Sequence, residues 1–180
     1  KTTLSGLFAA CLSCSIASAE LVSNIGASTN YMFRGVSLTD DDAQVFGGLD
    51  YAHESGLYIG TWATNIDLPN GSYEIDFYGG YSGSVEEIGY DIGITHYSFP
   101  ENDDDDYGEL YGSLSYEMFE AGLAYTAYSA ADDIPGEANG FIEGDLYVYG
   151  SVGTDLPEAT FGEGWSTGFT YGYYTFDDDG

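Results

Sequence analysis

Residues 73–98 read YEIDFYGGYSGSVEEIGYDIGITHYS. Taken alternately, Tyr73, Ile75, Phe77 and Tyr81 fall on one side, and Glu74, Asp76 and Tyr78 on the other. Beyond the SGSVE break the pattern resumes, with Ile88, Tyr90, Ile92 and Ile94 opposing Asp91 and Thr95. A side-chain period of two belongs to strands that have one apolar and one polar face. Consecutive antiparallel strands joined by a short polar break account for the whole stretch.

The pattern spreads in both directions. Nine strands are predicted, at about 22–35, 43–52, 56–66, 72–82, 86–98, 107–117, 119–129, 140–150 and 164–176, and no useful 3.6-residue period occurs past residue 20. In the first, Ile25, Ala27, Tyr31 and Phe33 share a face, against Asn24, Ser28, Asn30 and Arg34. In the sixth, Leu110, Leu114 and Tyr116 oppose Glu109, Ser113 and Ser115. In the eighth, Ile142, Leu146 and Val148 oppose Glu143, Asp145, Tyr147 and Tyr149. The third, GLYIGTWATNI at 56–66, is apolar on both faces, and its register stays open.

Such alternation suits a soluble sandwich or lipocalin-like barrel as well as a membrane barrel. Two features favour the membrane. The polar faces carry carboxylates and tyrosines but no lysine, and aromatic residues gather near the strand ends (Tyr31, Phe33, Tyr51, Tyr58, Trp62, Tyr73, Tyr97, Phe99, Tyr107, Trp165). Most of the strands are close to the roughly 9–11 residues that a tilted transmembrane strand needs. Alternate connections fall on opposite sides of such a sheet. The odd-numbered ones are 35–42, 67–72, 100–106, 130–139 and the terminal 177–180, and they hold every run of two or more Asp. The even-numbered ones are short, except for the last, 151–164. Nine is an odd count, and an open edge in lipid leaves backbone groups unpaired. The expectation is an all-β, antiparallel up-and-down transmembrane β-barrel, about nine strands of an expected twelve, incomplete at the C-terminus.

Residues 1–19, KTTLSGLFAACLSCSIASA, start with a cation, continue through small apolar residues and close on Ala17-Ser18-Ala19. That is a signal-peptide pattern with cleavage before Glu20, leaving residues 20–180 as one barrel domain. The alternatives are a buried N-terminal helix or lipid attachment at Cys11 or Cys14. Both cysteines lie in this segment, so the mature chain has no disulfide, thiol nucleophile or thiolate metal site.

Composition narrows the function classes. Among 180 residues, Lys plus Arg is 2 and Asp plus Glu is 31, a net charge of −29. Lys1 and Arg34 are the two cations, which excludes a grip on nucleic-acid backbones. With 18 Tyr, 10 Phe and 2 Trp, the chain is too aromatic for an acidic disordered segment.

Residues 28–37, STNYMFRGVS, carry an Asn before Tyr and then an aromatic-Arg-Gly step ahead of Ser. This resembles the opening signature of the TorF-type porins, a family of bacterial outer-membrane β-barrels. Residues 47–67 look like that family's second and third strands, and 73–100, ending YDIGITHYSFP, like its fourth and fifth. The likeness is close from about 22 to 130 and looser beyond. It implies an outer-membrane location and a channel role, and no particular solute.

The polar faces assign Asp50, Glu74, Asp76, Asp91, Glu109, Glu143 and Asp145 to the lumen, with Arg34 as the one opposing charge. Carboxylates lining a water-filled pore attract cations. The expected function is a passive, cation-preferring diffusion channel whose surroundings are outer-membrane lipid and lipopolysaccharide and whose passengers are small hydrophilic solutes or cations. The alternative is an adhesin or receptor-like surface protein that uses the acidic loops. Arg34 is expected near the outer end of the first strand, in a bidentate pair with Asp76 or Glu74. The Asp runs 40–42, 103–106 and 177–179 match no EF-hand and read as solvated loops. His53 and His96 fall at opposite ends of the barrel, so no shared metal, proton relay or triad is expected, and neither a catalytic residue nor a cofactor.

Overall fold

A computed structural model describes residues 19–69, 71–133, 141–157, 160 and 164–175. Residues 1–18 of the predicted signal peptide, with both cysteines, lie outside the described residues, as does the Asp run 177–179.

The protein is all-β. The strands are β1 (Glu20–Ser28), β2 (Met32–Phe33), β3 (Val36–Ser37), β4 (Gln44–Ala52), β5 (Leu57–Leu68), β6 (Gly71–Val85), β7 (Ile88–Ser98), β8 (Tyr107–Tyr116), β9 (Phe119–Ser129), β10 (Leu146–Asp155) and β11 (Ser166–Thr175). Nine of them form one antiparallel up-and-down sheet in the order β1-β4-β5-β6-β7-β8-β9-β10-β11, while β2 and β3 make a separate hairpin. The sheet is open, because β1 and β11 are its edges and do not pair with each other. The predicted barrel closure is therefore not seen between these strands.

Side-chain direction follows the register. Glu74 pairs across to Thr64, and Asp76 to Trp62 on β5 and Tyr97 on β7, so all five point to one face. The same face takes Glu109, opposite Thr95 and Thr126. It also settles the third predicted strand: Tyr58, Gly60, Trp62, Thr64 and Ile66 share this face, and Leu57 and Ile59 the other. Arg34, in the connection after β1, reaches Glu109 on β8 and Tyr174 on β11. In a flat sheet β1 and β11 would be eight spacings of about 4.8 Å apart, roughly 38 Å. The sheet therefore curls, and the acidic face is its concave side.

The sidedness is inverted relative to a water-soluble protein. Glu74, Asp76 and Glu109 are 1–3 % exposed on the concave side, while Ile25 (86 %), Phe169 (67 %) and Ile59 (63 %) stand out on the convex side. Large exposed apolar surfaces and buried acids both call for a physical reason.

Three boundaries differ from the sequence expectation. The first strand ends at Ser28, not at 35. Tyr31 and Phe33 consequently turn to the concave side and are buried, although they continue the outward parity of Ile25 and Ala27. The eighth strand spans 146–155 instead of 140–150, so the connection before it lengthens and the one after it shrinks to 156–165. The predicted connection 67–72 contracts to residues 69–70, because β5 and β6 extend past a register shift between Asn65 and Leu68. A second shift lies in the β8–β9 pair, where Gly108 meets Tyr128 but Glu109 meets Thr126, leaving Ala127 as the extra residue of a bulge.

Concave tyrosines lie on concave glycines of the next strand. Tyr58 pairs with Gly80, and Gly60 with Tyr78. A methyl group on Gly80 would stand 2.5 Å from the Ile92 carbonyl oxygen and press on the Tyr58 hydroxyl. Gly80→Ala is expected to destabilise the fold by about 1–3 kcal/mol through overpacking. Gly150→Ala, whose nearest neighbour would be 3.9 Å away, should stay within about 0.5 kcal/mol. Denaturant unfolding of the two variants side by side checks this.

Candidate functional site

The site is built by the 29–43 connection, which folds onto the concave face. Its own polar groups hold its shape. Ser37 Oγ donates to Asn30 Oδ1 (2.7 Å), and Asn30 Nδ2 donates to Asp41 Oδ1 (2.7 Å). Thr39 accepts from the Tyr31 amide (3.0 Å) and donates to the Asp42 carbonyl (2.7 Å). The Asp67 amide ties the connection to the end of β5 through the Leu38 carbonyl (2.7 Å). At its tip β2 and β3 are joined by Arg34 (φ 49°) and Gly35 (φ 91°). Two successive left-handed residues are the geometry of a tight two-residue hairpin turn. Glycine adopts it freely; for arginine it costs about 1–3 kcal/mol, which the surroundings must offset.

The offset is at the tip. Arg34 Nη1 and Nη2 each donate to one oxygen of Glu109, both at 2.7 Å. Nη1 also donates to the Tyr174 hydroxyl. The guanidinium carbon lies 4.6 Å from the Phe33 ring centre, 4.5 Å from that of Tyr147 and 5.5 Å from that of Tyr174. Tyr97 Oη donates to Glu109 Oε2 (3.1 Å). Below the tip an aromatic cluster is assembled edge-on and stacked: Tyr31 against Trp62 at 5.6 Å, Phe33 against Tyr97 at 5.8 Å, and Tyr97 against Tyr107 at 4.4 Å. Rings in such arrangements contribute beyond their buried area. They also form a cation–π seat for the guanidinium.

Beside it sit two further acids. Tyr31 Oη donates to Glu74 Oε1 (3.1 Å), and the Glu74 and Asp76 carboxyl groups lie within hydrogen-bonding reach of each other. Glu74 Oε2 and Asp76 Oδ1 are buried and make no hydrogen bond. Farther toward the 53–56 end the concave face is a row of phenol–carboxylate pairs. Tyr58 donates to Asp91 (2.5 Å), Tyr111 meets Tyr58, Tyr78 donates to Asp50, and Tyr149 donates to Glu120 (2.5 Å).

Arg34, Glu74, Asp76 and Glu109 thus come together under the hairpin, and Asp50 and Asp91 line the row beyond. Arg34 pairs with Glu109, not with Asp76 or Glu74 as the sequence suggested, because the inward fold of the connection carries it past β6 to β8. Asp145 is buried just ahead of β10, its carboxylate accepting from the Ile142 amide (3.3 Å). Glu143 is exposed in the connection before β10, since that strand starts only at Leu146. Glu120 and Tyr174 were not named from the sequence, and Tyr147 only as a polar-face position of the eighth strand; the Tyr-x-Gly spacing of Tyr58 and Tyr78 was the available signal for the tyrosine row. His96 faces the convex side, stacked on Phe77 and Tyr128, while His53 bonds Ser55 in the 53–56 turn. Among the described residues no three acid, histidine or cysteine side chains group to hold a metal. Outside the strands, Glu101 receives both the amide and the hydroxyl of Ser72 at 2.6 Å, which holds its carboxyl below the usual range.

Removing one partner of a buried ion pair strands the other charge. Arg34→Met should therefore cost about 3–5 kcal/mol of unfolding free energy, and Arg34→Met with Glu109→Gln should recover a large part of it. A double-mutant cycle measures the coupling. Glu101→Gln should remove a small increment that is present at neutral pH and, in the unsubstituted chain, is lost as pH falls through the lowered Glu101 pKa; unfolding curves across acid pH read it.

No curated protein matches the chain, and no solved structure does. A family model described as "Bacterial protein of unknown function (Gcw_chp)" matches residues 14–179. Spanning nearly the whole chain, that match places the protein in the Gcw_chp family of bacterial proteins.

Proposed function

We propose that this chain forms an outer-membrane β-barrel whose acidic lumen passes small hydrophilic solutes and prefers cations. The observation that carries this reading is the inverted sidedness: apolar side chains cover the convex face, and carboxylates and tyrosines the concave one. Lipid suits the first and water the second.

The convex face is also banded. Ile59, Phe77, Ile92, Ile94, Leu110 and Leu123 occupy its middle. Tyr73, Tyr128 and Tyr173 stand toward one end, and Tyr51, Tyr116, Phe119 and Trp165 toward the other. Aromatic belts at the two interfaces have this distribution. In the proposed barrel the edges β1 and β11 are closed, since unpaired edges are not stable in hydrocarbon. The resemblance of residues 28–37 and 73–100 to TorF-type porins supports the same reading.

The inward-folded 29–43 connection narrows the passage, and Asp50, Asp91 and Glu120 line the wall beyond it. The surface-protein alternative would recruit the acidic runs. Asp41 instead holds Asn30, and Asp106 accepts from the Phe99 amide (2.6 Å), so both runs carry structural bonds.

Reconstitution in planar bilayers under a salt gradient tests the proposal. A reversal potential of cation-selective sign is expected, and Asp50→Asn with Asp91→Asn should move it toward zero. Absence of conductance, or anion preference, would overturn it.

A further inference from the structure

The charges under the hairpin do not balance. Glu74, Asp76 and Glu109 share one buried region, and Arg34, the one Lys or Arg among the described residues, is forked onto Glu109 and also donates to Tyr174. Glu74 and Asp76 are 1 % and 3 % exposed, and each keeps one oxygen without a partner, Oε2 and Oδ1 respectively. A buried carboxylate oxygen without a donor is expensive, and two adjacent ones are more so. The two carboxyl groups lie within hydrogen-bonding reach of each other, and among the described residues no second Lys or Arg is present to meet them. Asp76 is flanked across the strands by Trp62 and Tyr97, and Glu74 by Thr64. Tyr31 already gives its hydroxyl proton to Glu74 Oε1.

We infer that Glu74 and Asp76 form a binding site for one small monovalent cation, an alkali ion or ammonium. Oε2 and Oδ1 supply the two charged ligands. The Tyr31 hydroxyl is bonded to the other oxygen of Glu74, and Trp62 and Tyr97 are the cross-strand neighbours of Asp76. The ligand count argues against a divalent ion, because calcium takes six to eight oxygens and magnesium retains an octahedral shell mostly of water. With both acids ionised, one added positive charge takes Glu74, Asp76, Glu109 and Arg34 together from −2 to −1. It also explains why an acid pair stands directly beneath the aromatic underside of the hairpin instead of in the open row of Asp50 and Asp91. The bound ion joins the 29–43 connection to β6 through Tyr31. The site is independent of conduction, and a barrel that passed no current could still bind the ion there.

Trp62 is a built-in reporter, opposite Asp76 and 5.6 Å from the Tyr31 ring. The chain has two tryptophans, so Trp165→Phe leaves Trp62 as the sole emitter. The folded chain in detergent is titrated at constant ionic strength and pH with potassium or ammonium chloride, replacing N-methylglucamine chloride, whose cation is too bulky to enter. A saturable change in Trp62 emission is expected. Asp76→Asn or Glu74→Gln should raise the half-saturating concentration about tenfold or more. The thermal midpoint of the unsubstituted chain should rise with potassium in parallel, a readout that needs no variant to fold. Three results would overturn the site: no saturable response, an equal response in Asp76→Asn and Glu74→Gln, or emission that follows pH alone with no cation dependence, which would mean that a shared proton occupies the pair.

Discussion

Arg34 and Glu109 hold the molecule's interior in place. The pair joins the first connection of the sheet to its sixth main strand, and Tyr174 adds the last. Desolvating two charges is unfavourable, and the fork geometry, the extra phenols and the three rings around the guanidinium are what make it tolerable here. The arrangement fixes curvature as well as contact. A sheet that presents Glu109 and Tyr174 to a hairpin rooted beside β1 has to bend around that hairpin. Once bent, it has a crowded inside and a wide outside.

Crowding explains the residue types. On the inner face the rings of Tyr58 and Tyr78 need somewhere to lie, and the glycines opposite them provide it. Their hydroxyls then reach Asp91 and Asp50, so each of these half-buried acids has a donor at little volume. On the outer face no such economy is needed, and the strands carry Ile, Leu and Phe that touch little of their own chain. The same chain therefore gives Asp50, Asp91 and Glu120 phenol donors inside and leaves its apolar side chains for an environment outside it.

Much of the sheet could be read from the sequence, because a period of two is local information. Strands from 44 to 129 lie within about three residues of where alternation places them. The errors share a cause. Tyr31 and Phe33 keep the parity of Ile25 and Ala27, and Ile142 keeps that of Leu146 and Val148, so the pattern runs on through places where the chain has already turned. Arg34 was legible as a lone cation on a polar face, but its partner was not. Which of several acids it meets depends on how far the sheet curls, and curvature accumulates over many strands instead of residing in any one of them.

The bulge at Ala127 decides more than local twist. By absorbing one residue it keeps Thr126 opposite Glu109 on the inside while sending Tyr128 outward to stack on His96. Deleting a single residue there would reverse the orientation of everything between it and the end of β9, driving a phenol into the space filled by Tyr107 and Phe141. Insertions and deletions within the Gcw_chp lineage should therefore collect in the reversals between strands and avoid this position, which makes alignment gaps a record of geometry.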